Sequence, residues 1–277
     1  MARKPRKRLD VALTELGLAD SLGKAVGLIM AREVTVNGQI VDQAGSAVQP
    51  ADEIALVNVM PWVSRGGYKL SGAFDAFGVD PTGRVCADVG VCTGGFTDVL
   101  LQSGASKVFA IDVGYGQLDW KLRQDERVHV MERTNARYVE SLEQPVSLVV
   151  IDVSFISLRT ILKAVQKWMD RDYRPAAEVV ALIKPQFEAS RSQIEKGGVI
   201  KDDNVRQEIV VGVVEWMQAN GWAVCGLVKS SIQGADGNIE FLVHLKSNNG
   251  GADLANLDES AGQTAETWYR GTSGQDG

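Results

Sequence analysis

From Arg84 to Lys246 the chain alternates short apolar runs with amphipathic segments of helical length, and this alternation restricts the fold more than any other feature. The runs are "RVCADVG", "KVFAIDV", "RVHVME", "SLVVIDV" and "AEVVALIK"; among and after them come "FTDVLLQSG", "SLRTILKAVQKWM" and "DNVRQEIVVGVVEWMQANG". Nearly continuous apolar strands separated by helices build a parallel sheet covered on both faces. "WAVCGLVKSS" and "NIEFLVHLK", joined by "IQGADG", then predict a closing hairpin. The expected fold is α/β and Rossmann-like, a seven-stranded mostly parallel sheet with a terminal antiparallel hairpin.

A smaller pattern precedes it. Leu9, Val11, Leu13, Leu16 and Leu18 share roughly one helical face, with Gly17 as a stop, and Ser21 opens a second helix carrying Leu22, Val26 and Ile29. "VTVNGQIV" is a hairpin signal through Asn37-Gly38. In "VNVMPWVSRGG" Pro61 is unsuited to a helix interior, and Gly66-Gly67 precede a new one. The expected organisation is a basic arm at 1–7, a small α+β domain at 8–59, a linker at 60–65 and the large domain at 66–246. The remainder, 247–277, is acidic, Gly-rich and without an apolar period, so disorder is expected there.

The net charge of -6 argues against a uniformly basic coat, yet Arg3, Lys4, Arg6, Lys7 and Arg8 crowd one end. Cys86, Cys92 and Cys225 form no C-x-x-C pair, so neither a disulfide framework nor a zinc site is expected, and a reducing compartment fits. No apolar run approaches the ~18 residues that span a bilayer, and the basic start leads into no signal-peptide core. The expectation is a cytoplasmic chain with no membrane partner and no bound metal.

"ADVGVCTGGFTDVLLQ" puts Asp88 at a strand end, followed by a glycine loop and a helix that begins near Gly95. The spacing is G-x-x-x-G-G, with Cys92 where a dinucleotide loop needs its second glycine, so a pyrophosphate is disfavoured. Asp112 ends the next strand, where a carboxylate accepts hydrogen bonds from ribose hydroxyls. Ribose without pyrophosphate points to S-adenosylmethionine. The residues themselves point to Asp88, the glycine loop, Asp112 and, after the third strand, Asn135 as cofactor candidates.

Four polar residues fall near the same edge. Asp152 and Lys184 end strands, Glu240 opens the last one, and Lys69 lies on a helix ahead of the glycine loop. Ligands of open α/β sheets bind beyond the carboxyl ends of the strands. Singly, each residue has an ordinary explanation as a helix cap, an exposed strand end or a lysine stem lying on an apolar face. His129 and His244 fall inside strand-like runs and read as structural.

Two resemblances follow from these stretches. "RLDVALTELGLADSLGKAVGLIMAREVTVNGQIV" with "ADEI" resembles the S4-type RNA-binding domain, though Leu22 stands where an arginine is frequent and Arg32 where a glycine is usual. Lys69, Asp152, Lys184 and Glu240 resemble the catalytic tetrad of the FtsJ-like ribose 2'-O-methyltransferases, which have the class I methyltransferase fold. With "SRGGYKL", "DVGVCTGGFTD", "IDVSFISL", "IKPQFE" and "GNIEFL", the arrangement resembles the TlyA family. That resemblance implies S-adenosylmethionine-dependent methylation of cytidine 2'-hydroxyls in 16S or 23S ribosomal RNA, with ribosomal subunits as partner and no obligate protein partner. It also implies cofactor contacts at Gly90, Gly94, Gly95, Phe96 and Asp112, and RNA contacts at Arg3, Lys4, Arg6, Lys7, Arg8, Lys24, Arg32 and Arg65. Lys184 is expected to be central, either as a neutral amine with a pKa lowered by Lys69 or as a cation stabilising alkoxide. The alternatives are an inactive RNA-binding assembly factor, a membrane-active haemolysin of the kind the family's other label implies, and a nicotinamide oxidoreductase.

Overall fold

The computed structural model describes residues 6–57, 60–174, 176–194, 197–247 and 265–272. The chain divides into two compact units, Met1–Pro61 and Trp62–Gly277.

In the first unit β1 (Lys7–Arg8) leads into α1 (Leu9–Glu15) and α2 (Leu22–Met30), followed by β2 (Val34–Val36), β3 (Gln39–Ile40), β4 (Ala47–Val48) and β5 (Ile54–Leu56). Ser21 caps α2 by accepting from the Lys24 amide. β2 joins β3 through Asn37 and Gly38 at φ 52° and 78°, the two left-handed positions of a type I′ turn. Leu9, Leu13, Ala25, Ile29, Val34 and Val48 form the core. Two leucines of the expected apolar stripe fall outside it: Leu16 is 60% exposed and Leu22 51%. α1 has ended before Leu16, and Leu22 is the first residue of α2, where the core does not reach.

The second unit contains α3 (Gly66–Phe77), β6 (Val85–Val89), α4 (Gly95–Gln102), β7 (Lys107–Ile111), α5 (Trp120–Arg123), β8 (Val128–Met131) and β9 (Leu148–Ile151). It continues with α6 (Leu158–Trp168), β10 (Glu178–Ile183), α7 (Pro185–Glu188), α8 (Asp203–Ala219), β11 (Trp222–Lys229), β12 (Phe241–Ser247) and α9 (Ala265–Thr272). One seven-stranded sheet runs in the order β11-β12-β10-β9-β6-β7-β8. Its neighbours from β10 to β8 are parallel, while β12 is antiparallel to both β10 and β11.

Successive strand residues point to opposite faces. Val149, Ile151, Val179 and Ala181 pack against α6 and α8. Leu148, Val150, Val180 and Leu182 pack against α3 and α4. Burying each such large side chain contributes about 1.5–3 kcal/mol. Because the chain moves outward from β6 to β8 and then returns to β9, a crevice opens between the carboxyl ends of β6 and β9.

α9 corrects the expectation of disorder for 265–272, and Ser247 still belongs to β12; 248–264 and 273–277 lie outside the described residues. Ala265 and Tyr269 are buried in the core shared with α8 and β11, and the Tyr269 hydroxyl donates to Asp203 at 3.0 Å. The eight-residue segment is too short to show a period beside its polar flanks, so its sequence does not reveal it.

Candidate active site

The loop after β6 turns at Gly90 (φ 89°) and Cys92 (φ 51°) and reaches α4 through Gly94 (φ 97°). A Cβ on Gly90 would collide with the Asp152 carbonyl, so glycine lets the two strand ends approach. A Cβ on Gly95 would meet Ser64 Oγ. Asp112, just beyond β7, fixes the loop: its carboxylate accepts from the Cys92 amide at 2.7 Å and from the Gly114 amide at 2.6 Å.

Two cavities meet here. One, about 470 Å³, is bordered by Gly90, Asp112, Asn135, Asp152, Phe155 and Ile156. The other, about 280 Å³, is bordered by Arg65, Lys69, Gly95, Phe96, Asp152 and Gly234. Gly90, Cys92 and Asp152 line both, so the end of β9 is their shared wall.

The four polar residues arrange as two ion pairs. Lys69 Nζ lies 2.5 Å from Glu240 Oε2, with both side chains buried. Lys184 Nζ lies 2.6 Å from Asp152 Oδ1 and donates to Ser154 Oγ at 3.0 Å. The immediate neighbour of Lys184 is thus a carboxylate, whereas the sequence reading invoked Lys69; Lys69 is engaged with Glu240 instead. A Cβ on Gly234 would strike the Glu240 carboxylate, so this glycine makes room for the buried Lys69–Glu240 pair behind the smaller cavity.

Of the residues expected at the cofactor, Gly90, Gly95, Phe96, Asp112 and Asn135 border the cavities. Asp88 and Gly94 border neither. Asp88 is fully buried and accepts from Thr97 Oγ1 at 2.7 Å, which ties β6 to α4. Burial, reinforced by the charges of Asp152 and Asp112, pushes its carboxyl up to about 7. Gly94 is required for packing, since a Cβ would run into Leu118 and Leu122.

Among the expected RNA residues, Arg65 borders the smaller cavity, and Arg6, Lys24 and Arg32 are exposed. Arg8 is bound through two hydrogen bonds to the buried Asp10, and Lys7 lies 2.5 Å from Glu15, so both side chains already have partners within the first unit. Arg3 and Lys4 lie outside the described residues. Sequence reasoning missed Ser154 and Phe155. Phe155 reads as core in "DVSFISL", yet it is 89% exposed at φ 63°, and its ring centroid is 4.9 Å from that of Phe187.

Residues 62–247 match the FtsJ-like methyltransferase family and residues 7–54 the S4 domain. The chain is 44% identical over 251 residues to a Mycobacterium tuberculosis protein named 16S/23S rRNA (cytidine-2'-O)-methyltransferase TlyA, covering 89% of this chain and 91% of that one. It is 40% identical to a Brachyspira hyodysenteriae protein named Hemolysin A, over 86% of this chain and 98% of the other. A solved Streptococcus thermophilus structure, named for a hemolysin, superimposes with a TM-score of 0.67 at 39% identity, covering 96% of this chain and 98% of that chain.

Proposed function

This chain belongs to the FtsJ-like methyltransferase family, and on that premise we propose that it transfers a methyl group from S-adenosylmethionine to cytidine 2'-hydroxyls of ribosomal RNA. The observation that carries the reading is the shared wall at Asp152. It places the Asp152–Lys184 pair at the junction of a cavity of cofactor size and a second one lined by Lys69.

The larger cavity fits the cofactor. Asp112 and Asn135 supply acceptors for a ribose and a base edge, and Gly90 lets the ends of β6 and β9 that wall the cavity approach each other. When bound, S-adenosylmethionine supplies a methyl group already activated on a sulfonium. The protein's task is therefore to position the ribose hydroxyl and remove its proton. Lys184, held by Asp152 and Ser154, meets that hydroxyl and steadies the developing alkoxide, while the Asp152 carboxylate takes the proton and passes it to water. The Lys69–Glu240 pair orients the ribose from the opposite wall. Ion pairs of this kind hold polar groups in fixed positions before the reaction begins.

Exposed aromatics account for the RNA side. Phe155 stands at the mouth of the larger cavity with a free ring face, suited to stacking an unpaired base. Two arginines flanking Asn135 pair with aromatics: Arg133 is 4.2 Å from the Tyr115 ring centroid and Arg137 is 4.4 Å from that of Tyr138. The substrate assignment draws on the activity named for the Mycobacterium tuberculosis relative and on the S4 match. For the haemolysin alternative, no helix among the described residues is long and apolar enough to cross a membrane.

Mass spectrometry of ribosomal RNA nucleosides from the host, with and without the gene, tests the proposal. It predicts loss of 2'-O-methylcytidine and its restoration by the wild-type gene but not by Lys184→Ala. Identical nucleoside profiles in the two strains would refute it.

A further inference from the structure

The mechanism above makes no use of Glu188, yet its carboxylate joins the two segments that carry the reacting groups. Its side chain is 2% exposed. Oε2 accepts from Ser157 Oγ at 2.6 Å, Oε1 accepts from the Leu158 amide at 2.6 Å, and Arg159 Nη1 lies 3.5 Å away. Ser157 is the N-cap of α6 and Leu158 its first residue, so the last residue of α7 closes the start of α6. Free amides and the helix dipole favour a carboxylate there.

α7 begins immediately after Lys184, and α6 follows the loop that carries Asp152, Ser154 and Phe155. We propose that Glu188 is a positioning residue, a carboxylate clasp that holds Lys184 against Asp152 and Ser154 and Phe187 against Phe155. The clasp keeps the proton-accepting pair and the base-stacking ring in register. This inference rests on the methyltransferase reading above and adds a residue to it.

Two independent observations support the clasp. Three contacts cross between the same two segments within a few residues of Glu188: Lys184 to Asp152 at 2.6 Å, Lys184 to Ser154 at 3.0 Å, and the Phe155–Phe187 ring pair at 4.9 Å. The second is Phe155 itself. A phenylalanine at φ 63° is held in a conformation that persists only where the surroundings over-determine it. With its ring 89% exposed, burial does not supply that restraint. Anchoring α6 three residues later does.

The test compares full-length wild type, Glu188→Ala and Glu188→Gln on purified unmodified ribosomal subunits. Misplacing reacting groups by about 1 Å costs up to roughly 10²-fold. Glu188→Ala is expected to lower kcat by about 10- to 100-fold, with a smaller rise in the KM for S-adenosylmethionine because residues 153–156 also line its cavity. Glu188→Gln is expected to recover most of the loss, because its carbonyl oxygen still accepts from the Leu158 amide. Hydrogen exchange measured without RNA is expected to quicken at amides 153–158 in Glu188→Ala alone. Wild-type kcat in Glu188→Ala, with or without a raised cofactor KM, or no recovery in Glu188→Gln would each overturn the clasp. If wild type modified neither subunit, the substrate reading would fail and exchange would decide: unchanged rates at 153–158 in Glu188→Ala would remove the clasp as well.

Discussion

The Asp88 carboxyl, sealed between β6 and α4, makes the stability of the methyltransferase unit sensitive to pH near neutrality. Its folded pKa of about 7 lies above that of an unfolded aspartate, about 3.9. Its stabilising contribution is therefore complete below about pH 4 and is lost as pH rises through about 7. Asp88→Asn keeps an acceptor for Thr97 and removes the ionisation cost, so its melting temperature should exceed wild type by more at pH 8 than at pH 5; equal shifts at the two pH values would contradict the assignment. Arg32 is a second residue whose conformation works against its identity. It follows the C-cap of α2 at φ 62°, the left-handed position where glycine carries no penalty. Arg32→Gly should stabilise the first unit by about 1 kcal/mol while weakening RNA binding and reducing its salt dependence. Unchanged denaturation midpoint and RNA affinity would remove both halves of that argument.

At the scale of elements, α9 braces the sheet edge near the candidate site. Tyr269 packs 5.4 Å from Phe241, the first residue of β12 and the neighbour of Glu240. Truncation after residue 264 should lower the melting temperature by roughly 5 °C or more, from the loss of about 2 kcal/mol of aromatic burial and the packing around it. An unchanged melting curve would show that α9 contributes nothing. The strands and helices of the sheet were legible because apolar runs of period-independent length are what doubly covered strands require, and the hairpin because Asn37-Gly38 admits left-handed φ. The site was legible where a strand ends on a polar residue, as at Asp112, Asp152 and Lys184. Partnership was not. Nothing in the spacing distinguishes a Lys69–Glu240 pair from a Lys69–Lys184 contact, because pairing depends on side-chain reach across strands far apart in sequence. Phe155 and Glu188 were hidden for the same reason: an exposed aromatic and a buried carboxylate each contradict what their residue types ordinarily do.

At the scale of the whole molecule, the sheet carries polar clusters at opposite ends. Opposite the site, Glu178 accepts from Arg84 at 2.5 Å and contacts His244 at 3.1 Å, and Lys246 lies 3.6 Å away. Burial opposes ionisation of Glu178, but the His244 and Arg84 hydrogen bonds and the Arg84 charge outweigh it and hold the carboxyl at about 2. The stabilisation, on the order of 3 kcal/mol, is present above about pH 4.5 and is lost as pH falls toward 2. Glu178→Gln should flatten the acid limb of the stability profile between those values; a limb as steep as wild type would place the acid sensitivity elsewhere. His244 and His129 both lie in strands, His244 buried against Glu178 and His129 exposed.

The central claim is that the Asp152–Lys184 pair carries ribose methylation, and methyl transfer tests it most directly. Purified unmodified small and large ribosomal subunits would be incubated with labelled S-adenosylmethionine and either wild type or Lys184→Ala, with cofactor affinity measured for both and the mark located by mass spectrometry. The account predicts labelled 2'-O-methylcytidine with wild type, a rate about 10²–10⁴ lower with Lys184→Ala, and cofactor affinity unchanged within about twofold. Wild type that binds S-adenosylmethionine and subunits yet transfers no label, or Lys184→Ala that transfers it at the wild-type rate, would contradict it.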